Sequence, residues 1–384
     1  MDHSRSDHHG GPCGGRCLTR RAALRASAGL AAATVAATGV ARAVAANQDQ
    51  TPAASPVAGG LPDLRGVTPL PLTGGRLAEF EAYAAAKLAE LGVPGASVAV
   101  VQGGEVAFLQ GFGVRETGQP EPVTADTLLR IGSVTKSFSS MLAATLVDAG
   151  RLSWETPLVD LLPEFAVADP ALTVGLTVRD AFCACSGLPR RDVEFQWSRR
   201  SPSPESLVAA MERLELTAPY GETYQYSNQL VAAGGFAAGV ADGGAADDLG
   251  YAYAIALRER VLDPIGMDRS TLALAEVADD GDYALPHAPD LAGDAVPLSL
   301  LDDDEWIVPV APTGALWSNA REMARYVQTE LARGVAPDGS RVVSAANLER
   351  TWAPGVAMPF SPETPAFLAA ANGHYGLGWV VGTY

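Results

Sequence analysis

From residue 76 on, helical periodicity comes first, a hairpin pattern follows, a long helical middle intervenes, and an alternating strand pattern returns only near the last residues. That order restricts the fold more than any other feature, because it suggests an antiparallel sheet whose N- and C-terminal parts are split by a helical insertion. From Arg76 to Leu91, the residues Leu77, Phe80, Tyr83, Ala84, Lys87, Leu88 and Leu91 recur at helical spacing, and Gly92 closes the run. Two apolar runs, Ala96 to Val101 and Glu105 to Gln110, flank Gly103-Gly104 and predict a hairpin. Further helices are expected over Val134 to Ala149, Thr177 to Cys185, Ser203 to Leu214, Ser227 to Val240, Tyr251 to Leu262 and Asn319 to Leu331. In the last of these, Asn319 and Glu322 read as a capping box. Leu377, Trp379 and Val381 alternate within Tyr375 to Gly382 and predict a strand. The expectation is a mixed α/β fold of the α+β type. An antiparallel sheet flanked by helices is built from 76–132 and 355–384, and a mainly helical part over 133–354 is inserted between them.

The segment before residue 76 does not share this patterning. Thr19-Arg20-Arg21 precedes an apolar, alanine-rich run from Ala26 to Val40, and Ala41-Arg42-Ala43 and Ala43-Val44-Ala45 offer small-residue cleavage sites. Residues 1–45 therefore read as an export signal of the twin-arginine type; the alternatives are a disordered basic leader or an uncleaved anchor. Residues 46–75, rich in Pro, Ala, Gly and Thr, read as a flexible linker. Removing 1–45 takes away six arginines and two aspartates and leaves 21 basic against 42 acidic residues, a net charge of −21. Such a field disfavours nucleic acid and anionic membrane surfaces, and no membrane span is expected once the signal is gone. The expected location is periplasmic or extracellular. Cys183 and Cys185, two residues apart, are read as small buried side chains on a helix. With no spaced Cys/His set, no disulfide framework, metal or other cofactor is expected.

The chain has two lysines beside 25 arginines, and one of them, Lys136, stands three residues after Ser133. A desolvated lysine can lose its proton and act as a base, whereas arginine cannot. At the first turn of a helix this spacing puts both side chains on one face, where the amine can take the hydroxyl proton and the positive helix pole favours an alkoxide. The alternative is that Ser133 caps the helix and Lys136 is solvated. Tyr226-Ser227-Asn228 adds a phenol that can relay a proton and an amide that can bind a substrate carbonyl, in a Gly-containing loop directly before a helix.

Taken together, Ile131 to Phe138 and Tyr226 to Asn228 resemble the first two motifs of the penicillin-recognising serine hydrolases, the group of class C beta-lactamases, DD-peptidases and related esterases. The stretches Cys185 to Pro189, Asp263 to Met267, Gly314 to Ala324 and Tyr375 to Trp379 add to the resemblance, in family order. It implies a beta-lactamase/transpeptidase-like fold with Ser133 as acylated nucleophile, Lys136 as its proton partner, Tyr226 as general base and Asn228 touching the substrate's acyl side. It also implies an oxyanion hole formed by the nucleophile's own N–H and a second N–H after a third motif, Lys-Thr-Gly or His-x-Gly.

Here the chain departs from the pattern. Neither lysine is followed by Thr-Gly. His374-Tyr375-Gly376 fits His-x-Gly only by letter, since it abuts the Tyr-Gly-Leu-Gly-Trp stretch that precedes the third motif, and His287 reads as a surface residue in a Pro/Asp loop. The expectation is a chain ending before the third motif, with an unpaired sheet edge and one oxyanion donor fewer, a loss worth about 10²- to 10³-fold in rate. The function expected is acyl transfer to water through an acyl-Ser133 intermediate on an amide, lactam, peptide or ester substrate. The alternative is a non-catalytic envelope binding protein of the same fold.

Overall fold

The computed structural model describes residues 66–193, 202–300, 306–359 and 373–382. The predicted export signal and linker residues 46–65 lie outside the described residues. Within the rest of the linker, Leu70 and Leu72 are fastened to the Gln102 side chain by hydrogen bonds of 3.0 and 2.9 Å.

Helix α1 (Gly75–Glu90) half-buries Leu77, Phe80, Ala84, Lys87 and Leu88, the stripe its periodicity predicts, while Tyr83 at the stripe's margin and Leu91 beyond the helix face solvent. Phe80 meets Phe108 edge-on at 5.1 Å, anchoring α1 to the hairpin of β1 (Gly95–Gln102) and β2 (Glu105–Gly113). Gly103 and Gly104 both take positive φ, 63° and 86°, as a two-residue hairpin turn with matching twist requires. Strand β3 (Leu129–Arg130) leads into a 3₁₀ turn (Gly132–Val134) and helix α2 (Thr135–Asp148).

Helical spacing puts Phe138, Met141, Leu142, Thr145 and Leu146 on one face of α2, but every residue from Thr135 to Leu146 is buried. Its second face includes serines whose hydroxyls find backbone carbonyls. Ser137 donates to the Val134 carbonyl (2.8 Å), Ser140 to Ser137 (3.0 Å) and Ser139 to Pro312 (2.7 Å). Serine read as polar therefore behaves here as a small buried side chain. Around α2 lie α3 (Val178–Phe182), α4 (Pro204–Ala210), α5 (Asn228–Ala241) and α6 (Leu249–Leu257), in one core with Trp154, Phe182, Phe236 and Tyr253.

The predicted helix over Thr177 to Cys185 is confined to α3. A capping box of Thr177 and Asp180 starts it, and the chain leaves helical geometry at Ala184, which has φ of 51°. The Cα atoms of Cys183 and Cys185 stand 5.3 Å apart across that left-handed alanine, which costs about 1 kcal/mol or more, and the two sulfurs are bonded. The expectation of unbridged cysteines on a helix is corrected: side chains two residues apart on a regular helix do not face each other, and the chain leaves helical geometry between these two.

Strands β4 (His287–Pro289) and β5 (Ala295–Pro297) form a small hairpin. His287 is not a free surface residue, because its Nε2 accepts the Thr117 N–H (3.1 Å) and its Nδ1 lies 2.9 Å from the Leu285 carbonyl. Strand β6 (Trp317–Ser318) pairs with β3, and helix α7 (Ala320–Leu331) packs on β1. The capping box at α7 is half formed. Asn319 accepts the Glu322 N–H, but the Glu322 carboxylate turns instead to the Arg269 N–H and the Ser270 hydroxyl.

Strands β7 (Val356–Ala357), β8 (His374–Tyr375) and β9 (Val380–Val381) make a separate three-stranded sheet. The single strand predicted over Tyr375 to Gly382 is thus a tight hairpin turned at Gly378, whose φ is 81°. A Cβ at Gly378 would lie 2.7 Å from the Lys136 carbonyl, so only glycine lets this turn press on α2. The architecture is a mixed α/β fold with helices and small antiparallel sheets. The first and last strands, expected in one sheet, pair in different sheets among the described residues.

Candidate active site

Ser133 sits in the 3₁₀ turn ahead of α2, and no side-chain cap bond is made at either helix start there. Its Oγ instead accepts a hydrogen bond from Lys136 Nζ (3.0 Å) and another from the Tyr226 hydroxyl (3.0 Å). The capping alternative is therefore not the geometry found. Pairing of β3 with β6, together with the Ile131 N–H bond to the Leu316 carbonyl (2.9 Å), sets the turn against the segment ending at Thr313. Thr313 presents its carbonyl to Lys136 Nζ at 2.9 Å.

Lys136 is 1% exposed, and its ammonium lies 4.7 Å from the Tyr226 ring centroid. Burial drives its pKa down to about 7; Asp192 opposes this by raising it, and Arg190 adds to the lowering. Burial likewise pushes the Tyr226 phenol above its ordinary value, against the hydrogen bond with Ser133, which lowers it. Desolvation thus favours the uncharged forms of both groups.

Tyr226 is delivered by a loop pinned to the Ala184 turn. Gln225 N–H donates to the Ala184 carbonyl (2.7 Å), Gly221 N–H to Cys185 (2.8 Å) and Thr217 N–H to Gly187 (2.9 Å). Ser227 then caps α5 by accepting the Leu230 N–H (3.4 Å). Tyr375 closes the far side of Tyr226 edge-on at 6.1 Å and lies 5.7 Å from Tyr224. In this way His374-Tyr375-Gly376 contributes an aromatic wall to the site.

The sequence placed Ser133, Lys136, Tyr226 and Asn228 together. The structure brings the first three into direct contact and holds Asn228 on the first turn of α5, bonded to a residue that was not foreseen. Asn228 Nδ2 reaches both carboxylate oxygens of Asp192, at 3.0 and 2.9 Å, and Asp192 is ion-paired to Arg190. The Arg190 guanidinium in turn lies 5.4 Å from the Tyr226 ring centroid. The available signal for these residues was the charged run Arg190-Arg191-Asp192 directly after Ser186-Gly187-Leu188-Pro189. Thr313, acting through its backbone, left no signal in its side chain. Among the described residues, no group of three or more His, Cys, Asp or Glu is placed to hold a metal ion.

The Beta-lactamase family model matches residues 80–384. Penicillin-binding protein 4 of Amycolatopsis lactamdurans is 31% identical over 75% of this chain and 71% of its own length. The unguisins hydrolase ungD' of Aspergillus campestris is 28% identical over 76% of this chain, which spans 52% of that protein. In fold, the chain is similar to the octameric penicillin-binding protein homologue from Pyrococcus abyssi, with a TM-score of 0.64 and 24% identity, over 79% of this chain and 64% of that one. A buried lysine on an exposed serine, with a tyrosine closing the third side, is the arrangement the first two motifs imply, and with these matches the chain belongs to the beta-lactamase family of serine-hydrolase-like proteins.

Proposed function

We propose that this protein is an exported serine hydrolase that transfers an acyl group to water through an acyl-Ser133 intermediate, on an amide, lactam, peptide or ester. The observation that carries the reading is the Lys136 amine, buried, lowered in pKa to about 7 and hydrogen-bonded to Ser133 Oγ. As Oγ attacks the carbonyl carbon, neutral Lys136 takes its proton. Tyr226, kept protonated by burial, gives its own to the departing nitrogen or oxygen and is reprotonated from Lys136. Water then attacks the acyl carbon by the same route in reverse. The Ser133 N–H is the first donor for the oxyanion. This assigns the base to Lys136 and the proton relay to Tyr226, because desolvation opposes an ammonium–phenolate pair. Support for export comes from the Arg20-Arg21 leader and from the Cys183–Cys185 disulfide, which suits an oxidising compartment.

Incubation with a fluorophosphonate or a labelled penicillin, followed by peptide mapping, is expected to place the label on Ser133 and to lose it in Ser133→Ala. Label persisting in that variant would overturn the assignment. The pH profile gives a second test. Only the neutral amine is a base, so kcat/KM should rise about tenfold per pH unit below about 7 and level off above it. A flat profile from pH 5 to 8 is incompatible with Lys136 as the base.

A further inference from the structure

The segment closed by the Cys183–Cys185 bond is tied through its backbone to both supports of the reacting groups. The Phe182 carbonyl accepts the Gly378 N–H (3.1 Å), the Ala184 carbonyl accepts the Gln225 N–H (2.7 Å) and the Cys185 carbonyl accepts the Gly221 N–H (2.8 Å). Gln225 directly precedes Tyr226, whose hydroxyl bonds Ser133, and the Gly378 turn presses on the Lys136 carbonyl. Between the two cysteines Ala184 has φ of 51°, a conformation that a residue with a Cβ keeps only where its surroundings hold it. A disulfide stabilises a whole fold in proportion to the loop it closes, and this one, at a sequence separation of 2, encloses only Ala184. Its effect therefore falls on the local backbone. Cys185 is only half-buried, and accessible disulfides are the labile ones.

We propose that the Cys183–Cys185 disulfide is a redox gate on this site: oxidised, it holds the Ala184 turn that seats Tyr226 against Ser133, and reduced by a dithiol, it releases that turn and withdraws the proton relay. The proposal rests on the hydrolase reading above. In the exchange, a thiolate of the dithiol bonds to one cysteine sulfur and the other cysteine leaves as a thiolate. The second thiol of the reductant then displaces the first cysteine and closes its own disulfide. Two electrons and two protons pass to the protein, which ends with two thiols. Ala184 then returns to negative φ, and the Gln225 N–H beside Tyr226 loses its acceptor.

The test compares the ethyl and p-nitrophenyl esters of one acid, on the full chain before and after dithiothreitol. Nitrophenolate departs without a proton, whereas ethoxide needs the one that Tyr226 gives. Reduction, verified by alkylation and mass mapping of Cys183 and Cys185, is expected to lower kcat/KM for the ethyl ester by about 10- to 100-fold, the effect of a misplaced group, and for the nitrophenyl ester by less than about threefold. Reoxidation should restore both. Because kcat/KM reports acylation, and loss of folded material lowers both esters equally, the ratio of the two isolates the relay. The double variant Cys183→Ser, Cys185→Ser should show the reduced-state ratio with or without dithiothreitol, and the ratio in Tyr226→Phe should not respond to it. Fluorophosphonate labelling of Ser133 in the oxidised chain separates the two readings. Absence of label fails the hydrolase assignment. Label together with a ratio unchanged on reduction, a bond that dithiothreitol leaves intact, or a Tyr226→Phe ratio that still responds overturns this inference alone.

Discussion

Lys136→Met is expected to slow acylation of Ser133 by about 10²- to 10⁴-fold, the range that loss of a positioned proton acceptor produces. Lys136→Arg should be similarly impaired, because a guanidinium cannot deprotonate. Burst kinetics with a chromogenic ester measure the effect, and a Lys136→Arg variant that acylates at the wild-type rate would exclude Lys136 as the base. Stability is expected to move the other way. The folded pKa of about 7 lies below the lysine value of 10.5, so between these values the unfolded chain binds more protons than the folded one. Stability contributed by this residue therefore rises with pH across that window, and the penalty is complete below about pH 7. Methionine carries no such penalty. The melting temperature of Lys136→Met should exceed that of wild type at pH 6, and its advantage should shrink toward pH 10. The Thr313 carbonyl, which loses its donor, offsets part of the gain.

The second large effect lies in the core. A Cβ at Gly239 on α5 would sit 2.6 Å from the Tyr253 nitrogen and 2.7 Å from the Ala252 carbonyl carbon on α6. Backbone of a packed helix cannot give way as a side-chain tip can, so Gly239→Val should cost about 3 kcal/mol or more. Asn228 opens α5 and Tyr226 immediately precedes its cap, so the same separation of helices should also move the site and lower activity. Gly250→Ala on the neighbouring helix is the control. A Cβ there meets only the Pro204 side chain, at 3.5 Å, and the change is expected to be neutral or to stabilise by up to about 1 kcal/mol. Urea unfolding of both variants checks the pair, and equal midpoints would show that the α5–α6 contact yields more easily than its geometry implies.

Part of this was readable in the residues. The stripe on α1, the Gly103-Gly104 hairpin, the start of α5 and the Ser133–Lys136 pair all rest on short-range rules, whose spacing or turn chemistry the chain states directly, whereas Tyr226, 93 residues from Ser133, joined the pair through the family resemblance. Longer-range features were not readable in the same way. The Cys183–Cys185 bond depends on a left-handed Ala184 for which alanine carries no signal. The full burial of α2 includes Ser139, whose hydroxyl reaches the Pro312 carbonyl 173 residues away. The hairpin at Gly378 depends on its close approach to Lys136, a residue far away in the chain.

The candidate site divides in the same way. By itself the sequence determined which groups could do chemistry, since a serine, a lysine three residues on and a tyrosine in a Gly-containing loop have defined proton-transfer capacities wherever they meet. Only the tertiary structure decided their charge and direction. Burial lowers the Lys136 pKa to about 7 and raises that of Tyr226, and the Asn228 amide meets the Asp192 carboxylate. The reason is physical: protonation state and amide orientation are set by desolvation and by partners distant in sequence, which exist only once the chain has folded.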